Sequence, residues 1–344
     1  MALSAALLAR LRAPPFGFGG APLGNLFRAV SDDAAAALVA RAYDVGVRYF
    51  DTAPYYGLGR SERRIGDALR VRPRDDYLVS TKVGRLLEPR ADAARDQHGF
   101  VDTLPFVQCY DYGAKGVRRS LEDSLQRFGL ARVDLVYVHD IDRETHGDAH
   151  AQRLADALDG GLPALAALKA EGRIGGYGLG VNDVAICLHV LGLADLDVIL
   201  LAGRYTLADQ SALPELLPEC ERRGVAIVLG GPFNSGILAT GARPADGSVP
   251  YFNYAPASPK IVERVGAIER ACAEFGVPLP AAALQFPTAH PAVATVIPGA
   301  RSVAEFDANL RLAQVAIPRE FWSALRERGL VDPRAPLPGI KAAR

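Results

Sequence analysis

Ile174-Gly175-Gly176-Tyr177-Gly178-Leu179, the stretch Asp183 to Leu191 behind it, and then Leu196-Asp197-Val198-Ile199-Leu200-Leu201 decide the fold. Two short apolar runs of the kind that form buried strands flank a segment of helical length. Strand, helix, strand over so few residues returns the second strand parallel to the first, because a helix is the usual crossover between parallel neighbours. Working outward, the same alternation repeats. Strands are expected near Phe16 to Gly20, Val47 to Asp51, Tyr77 to Val83 and Val133 to His139 on one side, and near Val225 to Leu229 and Val293 to Pro298 on the other. Helices fit between them near Asp32 to Asp44, Ser61 to Leu69, Lys115 to Phe128, Pro163 to Glu171, Leu213 to Arg223, Pro259 to Phe275 and Val303 to Leu312, with Arg319 to Arg328 as a terminal extra.

Strands that are apolar along their whole length are buried on both faces, and eight of them in βα units suggest a closed (β/α)8 TIM barrel, expected as one domain over residues 1–344. An open doubly wound sheet fits less well. Phe16-Gly17-Phe18-Gly19-Gly20 holds glycines, but no capped helix starts on them and no acidic residue closes a second strand at the spacing a dinucleotide fingerprint requires. Two connections are far longer than an ordinary βα loop, from about Gly84 to Ala114 and from about Gly230 to Ser258. Both follow strands, so both rise from the C-terminal mouth where barrel active sites are built. The first carries Phe100, Phe106, Tyr110 and Tyr112 and reads as a substrate cover. The second is rich in glycine and proline and suits an elongated ligand.

The 344 residues are 49% apolar, enough for a large core, and 39 basic residues balance 39 acidic ones. With no net field, a nucleic-acid or membrane-surface partner is not expected. Cys109, Cys187, Cys220 and Cys272 are widely spaced, with no CxxC pair or Cys/His cluster, so neither a zinc site nor a disulfide framework is suggested. The opening Met1 to Arg10 has no basic residues ahead of its apolar stretch and reads as a frayed lead-in rather than a signal peptide. No run approaches the length of a membrane span. A soluble cytoplasmic protein acting on small molecules, with no metal, is expected.

Chemistry gathers at the strand ends. Asp51-Thr52-Ala53-Pro54-Tyr55-Tyr56-Gly57 puts a carboxylate and a phenol where the second strand becomes a loop; Lys82 closes the third strand and His139 the fourth. Taken singly these could be a turn cap, a core aromatic, a salt-bridge stem and a core histidine. Together they sit on neighbouring strands and can converge, and a lysine and a histidine at the tails of apolar strands need a polar pocket. With Lys82 about 4 Å from Tyr56, an effective dielectric near 20 favours the phenolate by about 4 kcal/mol. That is worth roughly three pKa units before offsets, enough to bring a tyrosine towards neutral pH. Asp51 would keep Lys82 charged while weakening this effect.

These segments resemble the aldo-keto reductase superfamily: Asp51-Thr52-Ala53-x-x-Tyr56-Gly57, then Ser61-Glu62 and Gly66, Ser80-Thr81-Lys82, and Asp134-Leu135-Val136-Tyr137-Val138-His139. The likeness extends over nearly the whole chain. It implies a barrel with a nicotinamide dinucleotide across its mouth and a catalytic tetrad at Asp51, Tyr56, Lys82 and His139. Tyr56, not Tyr55, holds the matching spacing from the aspartate; Tyr55 is expected to line the substrate pocket. Gly178-Leu179-Gly180-Val181-Asn182 resembles the carboxamide-binding segment, with Asn182 matching and Val181 replacing the usual serine. A glutamine often found near Ala202 to Tyr205 is missing. The pyrophosphate loop corresponds to Gly230, Gly231, Pro232, Phe233, Ser235, Gly236 and Leu238, whose backbone N–H groups suit anionic oxygens. Gly299, Arg301, Glu305 and Asn309 resemble the adenosine-end segment. Glu305 stands where many NADP-preferring relatives have a base, and a carboxylate accepts from a ribose 2′-hydroxyl but repels a 2′-phosphate, so NAD is expected over NADP.

Within the superfamily, Gly230 to Gly236, the opening Phe16 to Leu26, and Leu201 to Leu207 are similar to the D-threo-aldose 1-dehydrogenases, also called L-fucose dehydrogenases. That branch implies oxidation of an aldose at its anomeric carbon, with L-fucose and D-arabinose as the type of sugar. A pyridoxal 4-dehydrogenase, or a general aldehyde and ketone reductase, is the alternative within the superfamily. Arg85, Asp102, Gln108 and Asp111 are candidates for contacts to substrate hydroxyls, with no order among them. Two readings from other classes remain: Lys82 as the Schiff-base nucleophile of an aldolase, and a non-catalytic cofactor-binding module.

Overall fold

A computed structural model describes residues 2–13 and 16–340. Met1, Pro14, Pro15 and residues 341–344, which the single-domain expectation includes, lie outside the described residues. Eight parallel strands follow one another around a barrel: β1 (Phe18–Gly19), β2 (Tyr49–Asp51), β3 (Leu78–Val83), β4 (Leu135–His139), β5 (Gly176–Val181), β6 (Val198–Ala202), β7 (Ala226–Gly230) and β8 (Val293–Ile297). Each pairs with its sequence neighbour, in the order that right-handed βα crossovers impose. The first strand meets the last through the N–H of Gly17 on Val296 O (2.9 Å), the N–H of Gly19 on Pro298 O (3.2 Å) and a bridge between Gly19 and Gly299. The sheet is therefore a TIM barrel with no free edge. Gly19 permits this closeness, since a Cβ there would lie 2.7 Å from Ile297 O.

Apolar residues form two layers. One fills the space between barrel and helices; the other fills the barrel itself, where Tyr49, Leu78, Leu135, Tyr137, Val198, Leu200, Ala226 and Val228 point inward. Leu3 and Leu11 join that inner layer. The N-terminal segment is thus not a frayed lead-in: Ser4 caps a helix, Ala5–Leu11, that plugs the bottom of the barrel. Its alanines and leucines give it no polar face, because the end of the barrel is itself apolar. Further helices that the sequence pattern hid include His150–Asp156, continuous through a wider turn with Leu162–Ala170, and Leu279–Gln285.

Both long connections carry structure. The first is an antiparallel hairpin, Arg85–Pro89 with Phe106–Tyr110, whose loop buries Phe100 while Tyr112 is buried just beyond it. The second holds a short helix, Ile237–Thr240, and a small hairpin, Tyr251–Phe252 with Ala255–Pro256. The turn of that hairpin uses two left-handed residues, Asn253 and Tyr254. Among the described residues no helix is long and apolar enough to cross a membrane.

Candidate active site

Asp51 ends β2, Lys82 is the penultimate residue of β3, and His139 ends β4, so three neighbouring strands deliver three polar groups to one side of the mouth. Tyr56 comes from the loop after β2. Two glycines place it: a Cβ on Gly24 would lie 2.5 Å from the Tyr56 carbonyl carbon, and Gly57, at φ +66°, packs its backbone on that of Gly24. Gly180 on β5 leaves room for the lysine stem, a Cβ there standing 3.2 Å from Lys82 Cε.

The structure brings these residues together. Lys82 Nζ donates to Asp51 Oδ2 (2.8 Å), to Thr52 O (3.0 Å) and to Tyr56 OH (3.1 Å). Asp51 and Lys82 are buried, and Tyr56 is half-buried. A hydrogen-bonded chain continues inward from Asp51: Ser80 Oγ donates to Asp51 Oδ1 (2.6 Å), Ser80 Oγ meets Tyr49 OH (2.8 Å), and Tyr49 OH meets Tyr137 OH (2.9 Å). Burial alone would lower the Lys82 pKa, but the Asp51 carboxylate and Tyr56 more than offset it, and the net direction is up. Lys82 is a fixed cation.

One expectation is corrected. The Tyr56 phenol is not drawn down towards neutral pH: burial raises its pKa above 10.0, Lys82 opposes this, and the Asp51 charge adds to the rise. Desolvating a phenolate outweighs a single nearby ammonium that is itself neutralised by a carboxylate. Tyr56 is a phenol at neutral pH. His139 is held neutral, its pKa pushed well below 6.5 by burial and by the Arg85 and Lys82 cations. Its Nε2 lies 3.3 Å from Asp140 Oδ2, and its Nδ1 is buried without a partner. A carboxylate facing Nε2 favours the tautomer that carries the proton there.

Tyr55 stays out of the lysine's reach. Its ring lies under the Arg85 guanidinium (4.1 Å) and edge-on to Phe100 (5.3 Å) and His139 (6.0 Å), as part of the pocket wall. Of the four candidates for hydroxyl contacts, Arg85 and Gln108 are on this wall, joined by a hydrogen bond of 2.9 Å. Asp102 is tied instead to Arg95 and Arg60, and Asp111 turns back on the Gly113 N–H (3.0 Å). Asp140, which sequence reading passed over, accepts from Arg85 Nη2 (2.5 Å). Its position directly after His139 was the available signal.

The segments expected to hold a dinucleotide border the same mouth. Gly230 ends β7; Gly231, Ser235 and Gly236 are left-handed, Pro232 and Leu238 are buried, and Phe233 is half-buried. Asn234 anchors this turn by donating to Gly203 O (3.0 Å) and accepting from Thr206. Ser235 Oγ accepts the Tyr254 N–H (2.8 Å), holding the hairpin tip where Tyr254 shares the electrostatic field of Tyr56, Asp140 and Lys82. Asn182, just past β5, and Asn309 make no side-chain hydrogen bond among the described residues; Val181 is buried and offers none. Gly299 closes the barrel against Gly19. Ser302 caps the helix Val303–Ala313, its Oγ accepting the Glu305 N–H (3.2 Å), and Glu305 Oε2 reaches back to accept the Arg301 N–H (2.8 Å). The Arg301 Nε is buried without an acceptor.

Known proteins share this architecture. A glycerol dehydrogenase of Gluconobacter oxydans superposes with a TM-score of 0.70 at 22% identity over 96% of both chains, which speaks for the fold alone. Pyridoxal 4-dehydrogenase of Microbacterium luteolum is 44% identical over 326 residues, 92% of this chain and 94% of that protein. D-threo-aldose 1-dehydrogenase of a Pseudomonas species is 39% identical over 331 residues, 95% of this chain and 97% of that protein. Residues 15–328 match the aldo/keto reductase family. With the barrel, the long loops at its mouth and relatives of this closeness along nearly the whole chain, this protein belongs to the aldo/keto reductase family of oxidoreductases.

Proposed function

We propose that this chain, acting as one barrel domain, oxidises the anomeric carbon of an aldose to the lactone with a nicotinamide dinucleotide. The observation that carries the proposal is Lys82 Nζ bonded at once to Tyr56 OH and Asp51, beside a neutral His139. Tyr56, as phenolate, takes the proton of the hemiacetal hydroxyl. His139 holds that same oxygen with its Nε2–H, and Lys82 stabilises the phenolate. As the O–H electrons form the new C=O, the C–H electron pair leaves as hydride. An oxidised nicotinamide, when bound, supplies the hydride acceptor and a second positive charge that favours the phenolate. Aldolase chemistry is disfavoured, because a Schiff-base lysine must be a free amine and Lys82 is held as a cation.

The residues present fit such a cofactor. Asn182 and Asn309 have unpaired side chains, Arg301 carries a buried Nε with no acceptor, and the left-handed turn around Gly231 and Ser235 exposes backbone. Asn182 would hold the carboxamide, the turn from Gly230 to Leu238 the pyrophosphate, and Gly299, Arg301, Glu305 and Asn309 the adenosine end. We place NAD ahead of NADP, since the exposed Glu305 charge opposes a 2′-phosphate even with one oxygen engaged on Arg301 N–H.

A second substrate has a specific observation behind it, the 44% identity to a pyridoxal 4-dehydrogenase. Pyridoxal also closes to a cyclic hemiacetal, so the same residues would perform the same oxidation. A panel of aldoses and pyridoxal with NAD and NADP, read at the absorbance of the reduced nicotinamide, separates the two. In that assay Tyr56→Phe is expected to lose about 10²- to 10⁴-fold in kcat while still binding cofactor. Undiminished turnover would remove the tyrosine mechanism.

A further inference from the structure

Beside His139 the pocket wall holds an ion pair that neither the barrel nor the proton transfer needs. Arg85, 4% exposed, donates from Nη2 to Asp140 Oδ2 (2.5 Å) and from Nη1 to Gln108 Oε1 (2.9 Å), and its Nε is buried with no acceptor. Asp140 Oδ1 has no partner among the described residues, and the half-buried carboxylate leaves it accessible. The Asp140 backbone is left-handed at φ +41°, held there by its N–H on Gly180 O (3.1 Å). Strain of this kind in a residue with a side chain collects at ligand sites. Tyr112 OH already ties this segment to the end of the barrel strand through His139 O (2.7 Å), so the ion pair is not needed for that tie. A buried ion pair adds little stability in itself.

From this placement we infer that Arg85 and Asp140 form a hydroxyl-reading subsite for the carbon next to the one oxidised. The substrate hydroxyl donates to Asp140 Oδ1, and Arg85 Nη2 fixes that carboxylate in direction through Oδ2. The placement suits adjacent oxygens. His139 Nε2, the donor for the reacting oxygen, lies 3.3 Å from Asp140 Oδ2, and two oxygens on neighbouring carbons stand about as far apart as a hydrogen-bonded pair. Gln108 holds the guanidinium in plane, and Tyr55 supports its face. The subsite selects an α-hydroxylated hemiacetal over a plain aldehyde. A site built to bond a hydroxyl rejects the analogue lacking it, because its own polar groups are then left unpaired.

The inference rests on the hemiacetal-oxidation proposal, and the test separates the two. Steady-state kinetics with an aldose and its 2-deoxy counterpart are expected to show at least about a tenfold preference for the hydroxylated sugar, carried mainly in KM. Arg85→Lys and Asp140→Asn are expected to bring that ratio to within about threefold of unity, with Gln108→Leu intermediate. Thermal melts check that each variant is folded. Calorimetric binding of the same two sugars to the protein loaded with reduced cofactor reads the preference without turnover. A preference in binding with no oxidation would overturn lactone formation and uphold the subsite. Equal handling of both sugars by the wild type, or variants that weaken both alike, would make Arg85 and Asp140 a structural tie only.

Discussion

Tyr55 and Tyr56 are adjacent in the chain, yet only Tyr56 reaches Lys82, because the turn ending in Gly57 directs one ring into the lysine and the other under Arg85. That choice was legible in the sequence through the spacing from Asp51. The sign of the phenol's shift was not, since it depends on how completely the ring is buried, which no spacing reveals. Burial raises the Tyr56 pKa against the pull of Lys82. A titration of tyrosinate absorbance in cofactor-free protein, wild type minus Tyr56→Phe, is therefore expected to show no ionisation from this residue below pH 10.0. An early step assigned to Tyr56 would contradict the balance described above. At the other end of the mouth, Glu305 was read from sequence as a ribose contact, but its Oε2 also accepts the Arg301 N–H just ahead of the Ser302 cap. Glu305→Lys is expected to raise kcat/KM with NADP relative to NAD by about tenfold, the scale of an exposed charge reversal. It is also expected to lower stability by about 0.5–1.5 kcal/mol for the lost hydrogen bond to Arg301 N–H, read in a denaturant midpoint.

At the scale of elements, legibility followed the strength of local signals. Asp32–Asp44 takes the expected bounds because Ser31 caps it, accepting the Ala34 N–H at 3.2 Å, and two aspartates sit in its first turn. Ala5–Leu11 was missed because its role is to fill the apolar bottom of the barrel, so no amphipathic stripe marks it. The Ser61-Glu62 and Gly66 motif, read as part of a family signature, turns out to assemble elements. Ser61 Oγ ties Gly20 O (2.7 Å) to Thr52 Oγ1 (2.8 Å), and the buried Glu62 accepts from Thr81 Oγ1 (2.6 Å) and from Arg127. Those bonds lock the helix Arg60–Leu69 to the strands that carry Asp51 and Lys82. Gly66 lets that helix touch the next, Ala114–Phe128: a Cβ would meet Phe128 O at 2.3 Å and Phe128 Cα at 2.5 Å. Backbone, not a flexible side-chain tip, stands in the way. Gly66→Ala is therefore expected to lose about 1–3 kcal/mol in chemical denaturation, although alanine is the better helix former. A gain in stability would show that the helices have room to part.

For the molecule as a whole, the convergence of β2, β3 and β4 could be read before the structure, because neighbouring strands of a barrel present their C-terminal ends together. The Arg85–Asp140 pairing could not, since it depends on the hairpin register that sets Arg85 opposite Tyr110. The same burial that shapes the site also sets how the fold answers acid. His139 is buried neutral at the mouth, and His290 is buried near the opposite end, where its Nδ1 accepts the Ala292 N–H (3.2 Å) and its ring stands edge-on to Tyr205 (5.5 Å). An imidazole that accepts through Nδ1 cannot be protonated there without losing the bond, and burial lowers the His290 pKa in the folded state while Glu221 opposes it. A histidine depressed on folding contributes no pH dependence above its unfolded value of 6.5. Below it, the unfolded chain binds a proton that the native state refuses, and stability falls as pH falls. Each such group supplies a slope of up to about 1.4 kcal/mol per pH unit. The denaturant midpoint is accordingly expected to be level between about pH 7 and pH 8 and to drop from about pH 6.5 towards pH 5. His290→Gln keeps an acceptor but cannot titrate, so it should flatten part of that drop while leaving the candidate active site, at the other end of the barrel, untouched. A drop of equal steepness in the variant would show that the acid sensitivity arises elsewhere.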